Sequence, residues 1–251
     1  MTYQKQSYYY EYINDLFIKK IYIDWSKVTF DNYLYHIEAL KNLNELTFEK
    51  PITFFVGENG TGKSTLLEAI AIAYGLNPEG GSRNYSFSTY DTHSSLYKGI
   101  RLSKSVHKPK WSYFLRAESF YNVATKEMDY ADIGHPSEKY HEQSHGESFL
   151  SLVQKQLNSY GLYLLDEPEA ALSPQRQLTL LMEIYNSAKQ GAQFIIATHS
   201  PILLGIPDAQ ILSFDDGIIH ECTYEETDSY KIVEMYINNK DQLLNQLFKD
   251  E

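Results

Sequence analysis

The chain has 251 residues, a formal net charge of −11 and 43% hydrophobic residues, enough apolar material for one large α/β domain. That acidity argues against a broadly basic nucleic-acid binder. The single cysteine, Cys222, excludes an intramolecular disulfide, and no apolar run approaches the ~20 residues that cross a bilayer. With a polar, tyrosine-rich N-terminus that shows no signal peptide, a cytoplasmic location is the expectation. The 22 tyrosines read as a compositional habit rather than as a base-stacking surface.

In chain order, residues 17 to 56 read as short strands and turns, ending in the buried apolar strand Ile52 to Val56. Gly57, Glu58, Asn59, Gly60, Thr61, Gly62, Lys63 and Ser64 then fit G-x-x-x-x-G-K-[ST]. A helix follows, with Leu66, Leu67, Ile70, Ala71 and Tyr74 on one face and Gly75 as its stop. Residues 76–143 are polar and turn-rich, broken at Gly80-Gly81-Ser82, Lys108-Pro109 and Gly134-His135-Pro136, with one strand at Trp111 to Leu115. Within them Lys98, Arg101, Lys104, Lys108 and Lys110 form a basic stretch without an acid. It admits two readings, a solvated hairpin or loop edge, or a phosphate-contacting patch.

Phe149 to Leu157 reads as a helix and Leu162 to Leu165 as a buried strand. Ser173-Pro174 opens a long helix, serine as cap and proline in the first turn, with Leu178, Leu181, Met182 and Tyr185 as its buried stripe. Phe194 to Ala197 is another buried strand. Ile211 to Ile219 reads as a hairpin turned at Asp216-Gly217, and two short helices end the chain. Strands alternating with helices imply a largely parallel sheet with its site at the strands' carboxyl ends.

The glycine loop has a chemical reason. A triphosphate is held by inward-pointing backbone N–H groups at a helix N-terminus, and glycines permit the backbone angles such a nest needs. Lys63 is expected to reach the β- and γ-phosphates, Ser64 to place its hydroxyl on Mg²⁺, and Thr65 to meet a phosphate. Leu162 to Leu165 ends in Asp166 and Glu167, placed to hold Mg²⁺ and to polarise the attacking water respectively. The bland alternative is a pair of acids opening a helix before Pro168. His199, after Phe194 to Ala197, is either a γ-phosphate contact or a structural histidine. Gln143-Ser144-His145-Gly146-Glu147-Ser148 is either a second anion site at a helix N-terminus or a plain cap.

The phosphate loop, S-x-G-E at Ser144 to Glu147, the Asp166-Glu167-Pro168 strand end, Ala170-Ala171-Leu172-Ser173 and Thr198-His199-Ser200-Pro201 occur in the order and approximate spacing of ABC-superfamily ATPases. They resemble Walker A, signature, Walker B, D-loop and H-loop. The chain most resembles the RecF/SMC-like branch, and within it the small stand-alone bacterial predicted ATPases of the AAA family. The resemblance implies an α/β P-loop NTPase head with a mixed, largely parallel sheet, an N-terminal antiparallel β subdomain and a small signature-bearing helical lobe. It implies a single domain over 1–251, with a nucleotide-binding core at about 1–75 and 160–251 and the signature lobe at about 76–159.

It also implies ATP as substrate with Mg²⁺, catalysis by Glu167 and His199, and an ATP-dependent homodimer in which Ser144, Gly146 and Glu147 act across the interface. A DNA or protein partner is expected. The alternatives are the ATP-binding subunit of an ABC transporter, or a nucleotide-dependent switch with little turnover. The sequence departs from the family pattern in two places. His145 replaces a signature glycine, and Glu118 stands where a Q-loop glutamine that touches the metal is usual. Arg83, 20 residues past Lys63, resembles an arginine that some SMC-type heads use near phosphate or DNA. Only 25 residues separate Glu118 from Ser144, too few for an SMC coiled-coil arm.

Overall fold

A computed structural model describes residues 15–28, 33–78, 80–82, 94–116, 150–151, 154, 157, 160–170 and 172–248. Two sheets organise them. The smaller is antiparallel, with β1 (Ile18–Ile23) between β2 (Glu45–Thr47) and β5 (Ile100–Lys104). The larger has seven strands: β3 (Ile52–Val56), β4 (Gly81–Ser82), β6 (Trp111–Arg116), β7 (Gly161–Asp166), β8 (Gln193–Ala197), β9 (Gln210–Ser213) and β10 (His220–Glu221). Their order is β10-β9-β3-β8-β7-β6-β4, parallel from β9 to β6 and antiparallel at both edges.

Burial follows from this layering. Every residue of β3, β7 and β8 is buried, as strands covered on both faces must be. Alternate side chains serve two cores. Phe55, Leu162, Leu164 and Ile195 face the helix α2 (Lys63–Tyr74) and the small sheet, while Phe54, Tyr163, Leu165 and Ile196 face the helix α3 (Pro174–Lys189). Strand β1 instead shows the mixed burial of a half-covered antiparallel strand.

Buried glutamines join the two sheets. Gln193 accepts from Ile18 N at 2.9 Å and donates to Ile18 O at 2.8 Å, satisfying the β1 backbone where its register with β5 shifts. Gln210 Oε1 accepts from Glu49 N at 3.1 Å and from Thr53 Oγ1 at 3.2 Å. A short helix α1 (Glu38–Lys41) lies over the phosphate loop. A Cβ on Gly62 would meet its Leu40 and the adjacent Ile37 at 2.8 Å.

Three expectations need correction. The buried residues of α3 are Leu180, Ile184, Ser187 and Ala188, whereas Leu178 and Met182 are 47% and 61% exposed. Leu181 and Tyr185 only flank the core. The helix holds two apolar faces, and contact with the sheet selects the one at 180, 184 and 188. Ser173 occupies the cap position of α3, but its side chain makes no capping hydrogen bond. The hairpin after β9 does turn through Asp216 and Gly217, both at positive φ, but its return strand is only His220–Glu221. The expected pair of C-terminal helices is present as α5 (Asp228–Leu247), two helical segments that meet at a kink where Asn239 leaves helical geometry, with Thr227 capping the first. A short helix α4 (Pro201–Leu204) precedes it. The expected helix 149–157 lies largely outside the described residues.

Candidate functional site

The site sits at the carboxyl ends of β3, β7, β8 and β9. Helix α2 starts from Gly62 at φ +99 with no side-chain cap, leaving its first amides for an anion. Gly57 and Gly60 also adopt positive φ, as the nest requires. Thr61 closes the loop on itself, its hydroxyl donating to Glu58 O at 2.8 Å.

Lys63 is buried, and its Nζ donates to Gly57 O at 2.6 Å and Glu58 O at 2.7 Å. Burial pushes its ammonium below the ordinary lysine value; Asp215, Glu167, Asp166 and Glu58 oppose that shift by their charge. Beside it, Ser64 Oγ donates to Asp166 Oδ1 at 2.8 Å. Residues 102 apart in the chain thus meet as a pair of hard oxygen donors. Such a pair fits Mg²⁺, which takes few protein ligands and fills its shell with water and phosphate oxygens. Arg116, whose backbone pairs with Asp166 in the sheet, reaches Asp166 Oδ2 through Nε at 3.7 Å and donates through Nη1 to Glu68 Oε2 at 2.6 Å.

Glu167 follows the end of β7 with φ +50, an uncommon angle for a residue with a Cβ. Its N–H donates to Ala197 O at 2.9 Å and its carbonyl accepts from Ala170 N at 3.0 Å, so a turn, not a helix, follows the acids. The Glu167 side chain is 46% exposed, and its Oε1 lies 4.0 Å from His199 Nε2. Burial first, and then Lys63, lowers the His199 pKa and favours the neutral imidazole. Glu169 Oε1 accepts from His199 N at 2.6 Å. Burial raises the Glu169 pKa, and that hydrogen bond opposes the rise. Ser200 holds the other side of His199. Its hydroxyl donates to Gln177 Oε1 at 2.6 Å and accepts from Ile202 N and Leu203 N at 3.2 Å, capping α4.

The structure therefore gathers Gly57 to Thr65, Asp166, Glu167 and His199 into one site. Ser144, Gly146, Glu147, Glu118 and Arg83 lie outside the described residues. The basic stretch is neither loop nor hairpin edge alone. Arg101 and Lys104 are on β5, where Arg101 pairs with Asp24 at 3.4 Å and Lys104 Nζ lies 4.5 Å from the Tyr74 ring centre. Sequence reasoning missed Arg116, Glu169 and Asp215. Asp215 carried a usable signal, since it is an acid just past an apolar strand, as Asp166 is at the end of one. A cavity of about 700 Å³ opens beside the loop between His199, Asp215 and the start of α5.

The chain matches the AAA domain family model AAA_23 over residues 27–249. It belongs to this AAA-domain family. A curated relative described as "Retron Vc95 probable ATPase", from Vibrio cholerae serotype O1 biovar El Tor, is 35% identical over 72 residues. That match covers 29% of this chain and 13% of the relative. Among solved structures, the SMC head domain from Thermotoga maritima is similar at 14% identity and a TM-score of 0.45, over 83% of this chain and 99% of that one. CbiO1 from Clostridium perfringens, part of the ABC transporter complex cbiONQ, is similar at 15% identity and a TM-score of 0.47, over 89% and 95%. The AAA domain described here has the mixed α/β architecture that the sequence implied. No helix among its described residues is long and apolar enough to cross a membrane.

Proposed function

We propose that this AAA domain binds ATP with Mg²⁺ and hydrolyses it. The observation that carries the reading is the Ser64–Asp166 contact at 2.8 Å, which brings the phosphate loop to the acid-bearing strand. Ser64 and Asp166 would hold Mg²⁺, and the bound ion would neutralise charge between the β- and γ-phosphates. The loop amides and Lys63 bind the polyphosphate. The Glu167 carboxylate accepts a proton from water as its oxygen attacks the γ-phosphorus; the bond to the bridging oxygen breaks, and ADP leaves. His199, held neutral and fixed through its backbone by Glu169, orients that water.

The exposure of the Glu167 side chain, 46%, supports a site that is completed by another surface. In the proposed cycle that surface is a second copy, whose Ser144, Gly146 and Glu147 close on the γ-phosphate. ATP then favours the closed dimer because its γ-phosphate makes contacts there that ADP lacks. The work coupled to this cycle is proposed to act on DNA or a protein partner in the cytoplasm, with the exposed cations of β5 as the candidate DNA contact. Glu118 and Arg83 remain candidates for metal and phosphate contacts. Phosphate release by the wild-type protein, with light scattering of Glu167→Gln in ATP, tests both parts. Turnover in the wild type and an ATP-dependent dimer in the variant are expected. No phosphate release refutes hydrolysis, and a monomeric Glu167→Gln in ATP refutes the sandwich.

A further inference from the structure

We infer that Asp215 is a positioning residue for the phosphate loop, holding Lys63 in place through the Gly57–Glu58 peptide unit. Asp215 Oδ1 accepts from Glu58 N at 2.9 Å. The carbonyl of the same peptide unit, Gly57 O, accepts from Lys63 Nζ at 2.6 Å. In a trans peptide the N–H and C=O point in opposite directions, and the described residues contain no cis bond. The carboxylate and the ammonium therefore grip one peptide from its two sides. Both hydrogen bonds are charge-assisted, and each polarises the amide in the direction that strengthens the other.

The carboxylate is itself fixed. Asp215 Oδ2 accepts from Ser213 Oγ at 3.2 Å, and Ser213 Oγ accepts from Asp215 N at 3.3 Å. Phe214 N donates to Val56 O at 2.9 Å, tying this segment to the last residue before the loop. The approach also depends on a glycine. A Cβ on Gly57 would lie 2.9 Å from Asp215 Oδ1 and 3.2 Å from its Cγ. Gly57 thus serves both the positive φ of the loop and the close passage of this carboxylate. The consequence for binding is preorganisation: a loop whose first peptide is already clamped loses less freedom when a polyphosphate arrives.

A plainer role is a turn stabiliser that only closes on its own Ser213. The two roles separate experimentally. The inference rests on the ATP reading for its first readout and is independent of it for its second. Calorimetric titration with ATP and Mg²⁺ is expected to show about a tenfold weaker Kd for Asp215→Ala, the scale of one charged hydrogen bond. Asp215→Asn, which keeps an oxygen acceptor for Glu58 N–H, recovers part of that loss. Ser213→Ala, which loosens the carboxylate without touching the loop, shifts Kd in the same direction by less.

The second readout is competitive acetylation of lysines followed by mass spectrometry, without nucleotide. Lys63 is expected to label several-fold faster in Asp215→Ala than in wild type, with the other lysines unchanged. Unchanged labelling of Lys63 in both Asp215 variants overturns the inference. So does an unchanged Kd in variants that bind ATP, or an equal loss in both that tracks a fallen melting temperature. A wild-type chain that fails to bind ATP sinks the nucleotide reading alone, and the labelling still decides the clamp.

Discussion

The phosphate loop has two flanks, and they are built differently. On one side, the carboxyl ends of β7 and β8 deliver Asp166, Glu167 and His199. On the other, β9 delivers Asp215. Each flank sets an acid at the end of an apolar parallel strand facing the same loop. Yet Asp215 is clamped by Ser213 and by a loop amide, whereas the Glu167 side chain is nearly half exposed and nears His199 only at 4.0 Å. A clamped carboxylate holds geometry, and a reachable one can take a proton. The local surroundings, more than residue type, divide holding from reacting.

Substitutions on the two flanks should therefore fail in different measurements. The largest effect expected is from Glu167→Gln. Loss of a general base lowers phosphate release by about a hundredfold to ten-thousandfold, while ATP affinity in calorimetry stays near wild type. A large loss of affinity there would erase the contrast between the flanks. Lys63→Ala removes two charged hydrogen bonds to the loop and a phosphate ligand, and should weaken ATP–Mg²⁺ binding by about a hundredfold.

Gly57→Ala should cost about tenfold in the same titration, since φ +136 is strained for alanine and its Cβ would press on Asp215. Combining Gly57→Ala with Asp215→Ala should cost less than the sum, as the clash disappears with the carboxylate. Full additivity would mean that the two residues do not communicate.

The smallest effect concerns Glu169. Burial raises its folded-state pKa, so the folded protein binds more protons than the unfolded chain between the two values. That contribution is present in full below the unfolded carboxyl pKa and is lost as pH rises through the raised one. Glu169→Gln keeps an acceptor for His199 N–H and cannot ionise. Its stability relative to wild type should therefore increase from acid toward neutral pH, measured as the urea midpoint at each pH. A constant difference would show that the carboxyl titrates alike in both states.

Much of the first flank was readable in the residues. Strand 52–56, the glycine loop, helix 63–74 and the ends of β7 and β8 each carry a local signal: an apolar run, a glycine spacing, an i, i+4 stripe. The second flank was hidden. Asp215 stands one residue before Asp216-Gly217, so the turn signal of that pair covers it, and only its place after an apolar strand marks it. Arg116 was concealed because its partners, Glu68 and Asp166, are 48 and 50 residues away and meet it only once β6 and β7 pair. Ser144, Gly146, Glu147, Glu118 and Arg83 lie outside the described residues, and their roles stay as proposals.

The sequence by itself determined the phosphate loop, its strand and helix, and which strands would be buried on both faces, because these depend on neighbours within a few positions. Tertiary structure decided the rest. It chose the face of α3 that is buried, since two apolar faces were on offer and only the sheet could select one. It also set Ser64 against Asp166 and Asp215 beneath the loop. Strand order, which no local pattern encodes, fixes which strand ends become neighbours.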